Sequence, residues 1–165
     1  MKILTAFLFI SIISCSKFSN QNLYLIDDFK QSRNEFTNDT ISLENVSSEG
    51  GELISYLSDK KKFMVFDFFI YGEMGKLNYT YFTDNNLKIK TVIKRDYKYD
   101  KPITEENLKI DSTITYYDYS EKPRFFDQNL KEICNIPQLK KQQIELDSFF
   151  KNNLRIKKDQ TISKP

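Results

Sequence analysis

The chain has 165 residues, with 25 Lys and Arg against 23 Asp and Glu, so its formal net charge of +2 supplies no global field to recruit nucleic acid or an acidic substrate. It contains no histidine, which excludes Ser-His-Asp and Cys-His nucleophile systems and any His-containing zinc site. Phe and Tyr are plentiful, Trp is absent, and Gly and Pro are scarce, a composition suited to a compact sheet rich in side-chain contact.

At the start of the chain, Lys2 precedes an apolar run from Ile3 to Ile13, and Ser14-Cys15 closes it. This is the layout of a signal peptide, and the run is too short to span a bilayer as a helix, which takes about 20 apolar residues. The sequence Ile12-Ile13-Ser14-Cys15 resembles the lipobox of bacterial lipoprotein precursors. That resemblance covers only the first 15 or so residues. It implies removal of residues 1–14, thioether attachment of diacylglycerol to Cys15 and usually N-acylation. It also implies a cell-envelope location, with Ser16 compatible with sorting to the outer membrane, on its periplasmic or surface side. Ordinary secretion or an uncleaved anchor are the competing readings. The globular part resembles no family in particular.

Removal of residues 1–14 leaves about 150 residues, the size of one domain. Residues 15–22 read as a lipidated tether and 23–154 as a single α+β domain. Between Asn22 and Val46, the patch Leu23-Tyr24-Leu25-Ile26 predicts one short element followed by loop. After Gly50-Gly51, the spacing of Leu53, Ile54 and Leu57 predicts a short helix near 52–60. Phe63 to Tyr71 is apolar at both alternating sets of positions and predicts a strand buried on both faces. Gly72-Glu73-Met74-Gly75 then turns the chain. Leu77, Tyr79 and Tyr81 alternate with polar residues in a second strand, and Asp84-Asn85-Asn86 makes the next turn. A third strand runs through Ile89 and Ile93 to Tyr99, completing an antiparallel meander.

Residues 110–119 propose a fourth strand. The segment 124–133 fits a hairpin or a short helix capped by Asp127, the hairpin being preferred. From Pro137 onward, Leu139, Leu146, Phe150 and Leu154 repeat along one face and predict a helix over 138–154, with 155–165 a loose basic tail. The expected fold is thus an antiparallel sheet of four to six strands, with one face packed by both helices.

Few residues carry chemistry. Gly72 to Lys76 lacks the flanking residues of a phosphate loop, with Ile70 and Leu77 where Gly and Ser or Thr are needed. Ser58-Asp59-Lys60-Lys61 has the S-x-x-K spacing of lysine-assisted serine acylases without their companion motifs. Cys134, the other thiol besides Cys15, sits between apolar neighbours and reads as a small buried hydrophobe rather than a reactive group. Asp67, between Phe66 and Phe68, must reach an edge or have a cationic partner, because burying an unpaired charge is costly. The competing reading is a carboxylate of raised pKa in a pocket, joined by Glu73. Tyr79 and Tyr81 together with Lys88, Lys90 and Lys94 form a candidate interaction surface, against which stand ordinary cross-strand packing and a solvated face.

No catalytic residue, metal or cofactor is called for, and no nucleic-acid partner. The expected function is a lipid-anchored binding or interaction module of the bacterial envelope, with a protein or small-ligand partner. An inhibitor or immunity-type lipoprotein acting against a toxin or envelope enzyme is the alternative, and a His-independent enzyme a third class.

Overall fold

Consecutive strands of this chain are joined by turns too short for a crossover, so each pairs antiparallel with the next and the sheet is laid down in sequence order. The computed structural model describes residues 17–120, 122–133 and 136–162. Residues 1–14, Cys15 and Cys134, with the expectations attached to them, lie outside these. Helix α1 (Asn20–Gln31) and a 3-10 turn (Arg33–Glu35) lead into β1 (Thr37–Leu43), β2 (Gly51–Leu57), β3 (Phe63–Gly72), β4 (Gly75–Asp84), β5 (Ile89–Tyr99), β6 (Ile110–Asp118) and β7 (Arg124–Phe126), and the long helix α2 (Ile136–Ile162) follows.

The α+β class and the meander are as expected, but the sheet has 7 strands, more than the four to six expected. Residues 52–60 are not a helix. Leu53 joins the core under α2 while Ile54 and Tyr56 join the core under α1, so this segment alternates between two faces and pairs on both sides as β2. The extra strand β1 is a polar edge, paired only with β2 and mostly exposed, a composition that discourages edge-to-edge association.

The helices lie on opposite faces of the sheet rather than on one. Strands β3 to β5 are apolar on both sides, so a single cover would leave half of their side chains in water. On one face, Ile26 and Phe29 of α1 pack with Phe36, Tyr56, Phe63 and Phe82. Phe29 meets Phe36 and Tyr56 edge to face, with centroids 5.2 and 5.1 Å apart. On the other face, Leu146 and Phe150 of α2 cover Phe66, Phe68, Tyr81 and Val92. Phe150 stacks on Tyr81 at 4.7 Å, and the Tyr81 hydroxyl donates to the Leu146 carbonyl at 3.1 Å.

Both ends of the folded body extend past the expected limits. Residues 18–22 are packed rather than part of a tether. Phe18 is 4% exposed, with its ring against Tyr116 and Phe126. Asp118, fully buried at the end of β6, accepts from the Ser19 amide and the Asn22 side chain at 2.9 Å, the Ser120 amide at 2.8 Å and Arg124 at 3.2 Å. At the other terminus, α2 continues through Ile162, so most of the expected loose tail is helical backbone. The segment 124–133 is the preferred hairpin: Phe126 bridges Glu132, and Asp127 holds the turn by accepting from the Asn129 and Lys131 amides.

Alternate turns of a meander lie at the same end of the sheet. Turns 58–62, 85–88 and 119–123 stand at one end, with the Asp118 contacts that fix where the chain enters; turns 44–50, 73–74 and 100–109 stand at the far end.

Candidate functional site

The β4–β5 turn is built by one carboxylate. Asp84 accepts from the Asn86 and Lys88 amides at 3.0 Å and pairs with Lys90 at 2.9 Å; the hydrogen bond from Lys90 is the main reason its pKa lies below the ordinary value. These bonds hold Leu87 at φ 63°, with its side chain 46% exposed. From the opposite side α2 presents Asp147, Phe150, Lys151 and Leu154, a stripe at helical spacing. Tyr119, tied through its amide to the Lys90 carbonyl at 3.0 Å, closes the third side. Together they border an open groove of about 600 Å³ at the entry end.

The walls of this groove are mainly apolar, from Leu87, Ile89, Phe150 and Leu154, with a few polar groups among them. The Tyr119 hydroxyl and Asp147 Oδ1 are buried beside each other and present almost no surface to the groove. Burial first, and the neighbouring Asp147 carboxylate second, push the Tyr119 phenol far above its ordinary pKa, so it stays a neutral donor. Volume, apolar lining and a small number of polar groups are the attributes of a site for a small ligand with a hydrocarbon portion and one polar end. No single stretch of the sequence announces it, because its walls come from two turns and a helix far apart in the chain.

No family model, curated protein or solved structure matches this chain.

Asp67 is buried on the α1 face, with only 8% of its surface exposed. Thr80, its cross-strand neighbour, donates to Asp67 Oδ1 at 2.5 Å and accepts from Arg95 at 2.9 Å; Arg95 also donates to Asn78 Oδ1 at 2.8 Å. Desolvation raises the Asp67 pKa, against the opposing pull of the Thr80 hydrogen bond and of the Arg95 and Arg33 charges. Arg33 in turn donates to the Tyr56 hydroxyl and lies over the Phe29 and Tyr56 rings. The carboxylate thus faces Arg95 through the Thr80 hydroxyl, and among the described residues no ion pair joins it to either arginine. The adjoining cavity, about 230 Å³, is smaller than usual ligand pockets, which run from about 300 Å³. Glu73 is not part of this group: six residues further along, at about 3.3 Å each, it sits some 20 Å away and lines a different cavity in the β3–β4 turn.

The tyrosine-lysine surface is not assembled. Tyr81 is fully buried beneath α2, and Tyr79 packs on Phe149 with centroids 5.3 Å apart. The pairing of β4 and β5 shifts between Phe82 and Thr83, which breaks the lysine row. Lys88 lines the 600 Å³ groove, Lys90 turns toward Tyr24 and Asp28 on the α1 side, and Lys94 lies beside Tyr79, Tyr117 and Glu145 under α2. Ser58 and Lys61 do not form a catalytic pair either. Ser58 accepts from the Lys60 amide, while Lys61 binds Asp28 at 2.7 Å, a contact that raises the Lys61 pKa and works against a role as base. Among the described residues no three acidic or thiol groups gather around a metal position, and no helix is long and apolar enough to cross a membrane.

Proposed function

We propose that the chain is a lipid-anchored protein of the bacterial envelope, held in the outer membrane through Cys15, that binds a small amphiphilic ligand in the groove between the β4–β5 turn, Tyr119 and α2. The anchor part of the reading rests on the Ile12-Ile13-Ser14-Cys15 run. The observation that carries the binding part is the groove itself: about 600 Å³, apolar-walled, with Lys88 and Lys151 along it, and placed at the end where the chain enters the fold. Leu87, Ile89, Phe150 and Leu154 accommodate the hydrocarbon portion, while Lys88 and Lys151 orient an anionic polar end.

The test is native mass spectrometry of the full-length protein purified from the envelope. The expected spectrum shows acylated Cys15 as the N-terminus and an additional noncovalent mass of a few hundred daltons. The variant Ile89→Trp, which fills the groove, loses the noncovalent mass and keeps the acylation. Acylated protein without a bound small molecule, but with one stoichiometric protein partner, would replace this reading with the immunity-type alternative.

A further inference from the structure

The distance between the lipid-bearing residue and the packed body is set by covalent geometry. Phe18 is buried, Ser19 is bound to Asp118, and Asn22 donates to both Asp118 and the Lys90 carbonyl. Three residues, at most about 3.6 Å each, allow no more than about 11 Å between Cys15 and Phe18. That is close to a Debye length at physiological ionic strength, about 8 Å, so charges at the entry end feel the bilayer surface.

Those charges are strongly biased, although the whole chain is nearly neutral. Among the described residues, the three turns at the entry end carry Lys60, Lys61, Lys62, Lys88 and Lys122 against Asp59, and Lys17 lies just before Phe18. Lys61 is neutralised by Asp28 and Glu35, whereas Lys17, Lys60, Lys62, Lys88 and Lys122 are exposed. The far end is the reverse, with Glu44, Glu49, Glu73, Asp100, Glu105 and Glu106 against Lys101 and Lys109. Between the basic turns, Leu87 stands out into solvent at the tip of its turn and Tyr24 of α1 is 66% exposed. Basic side chains surrounding exposed apolar and aromatic ones suit a surface that meets anionic headgroups, with the apolar groups at the acyl boundary.

We infer that the entry end is a membrane-docking face that lies against anionic lipid headgroups, with the acidic end pointing away; this rests on the acylation of Cys15 proposed above. The acyl chains hold the protein to the bilayer, and the lysines set its orientation. The ligand groove then opens beside the headgroups rather than toward bulk water.

The absence of Trp gives a clean reporter. Tyr24→Trp and Ile103→Trp, at exposed positions of opposite ends and outside the ligand groove, are made singly in the full chain, and the acylated proteins are reconstituted into vesicles containing phosphatidylglycerol and bromine-labelled lipid. The indole of Tyr24→Trp is expected to lose most of its emission, while that of Ile103→Trp keeps it. Replacing Lys60, Lys62 and Lys122 with Glu, or phosphatidylglycerol with phosphatidylcholine, brings the first down to the quenching of the second while the protein stays vesicle-bound. Mass spectrometry of the N-terminal peptide from the same samples separates the two ideas. Acylated Cys15 with equal, weak quenching at both positions overturns the orientation alone and leaves the basic end for an acidic protein. An unmodified Cys15 overturns the anchoring and the orientation with it.

Discussion

Two buried aspartates are held differently, and their removal has opposite consequences. Asp118 spends both oxygens on donors from three parts of the chain: the approach to α1, the β6–β7 turn and Arg124. In Asp118→Ala those donors are left behind, including a guanidinium only 23% exposed. A loss of about 3 kcal/mol follows from breaking such a pair, measurable by urea titration. Amide exchange at residues 18–25 is expected to accelerate more than in β3 or β4. Asp67 has fewer donors, and its pKa is raised by burial despite two nearby arginines. A folded pKa above the unfolded one, ordinarily about 3.9, means that ionisation costs stability at neutral pH. That cost disappears as pH falls through the folded pKa toward the unfolded one. Asp67→Asn is therefore expected to be at least as stable as the parent at neutral pH, with the parent gaining on it as pH falls toward about 4; thermal melts of both across that range decide it.

At the level of elements, legibility followed how much of each signal was local. Strands β3 to β5 announced themselves because their apolar residues occupy both faces between clear turn sequences, and α2 because Leu146, Phe150 and Leu154 recur along one stripe. Helix α1 was hidden: its stripe of Leu23, Ile26 and Phe29 is interrupted by Tyr24 and Leu25, which make a contiguous apolar patch, and no side chain caps its start. Strand β2 mimicked a helix through Leu53, Ile54 and Leu57, and only pairing on both edges decides its state. Strand β1 carries almost no apolar pattern, since its partner is the backbone of β2. The candidate site was less legible still. Asp67 stands out because a charge in an apolar run is anomalous, whereas Tyr119 and Asp147 sit in unexceptional text and meet only after folding. Backbone proximity is likewise invisible in the sequence: a methyl group at Gly75 would collide with the Tyr97 carbonyl on the neighbouring strand. Gly75→Ala should cost about 1–3 kcal/mol through the resulting shift of strands, seen as a lowered urea midpoint. Phe150→Ala, which removes a ring touching Phe66, Phe68 and Tyr81, should cost about 3–5 kcal/mol and raise amide exchange along α2.

For the molecule as a whole, one sheet divides two aromatic cores, and neither helix has a core of its own. Stripping α1 exposes Phe63 and Phe82; stripping α2 exposes Phe68 and Tyr81. Both layers are therefore expected to melt in a single cooperative transition. Circular dichroism of the helices and the near-ultraviolet signal of the tyrosines should superimpose against urea; two separated midpoints would show that one layer stands alone.

The early burial of Phe18 also bears on biogenesis. On the proposed anchoring, enzymes that modify the thiol and trim the leader can reach only Ser16 and Lys17 on the downstream side before the chain disappears into the body. Maturation must then be finished, or at least engaged, while the polypeptide is still extended. A precursor that closes the Ser19–Asp118 contact too soon would shield its own cleavage point and accumulate uncut.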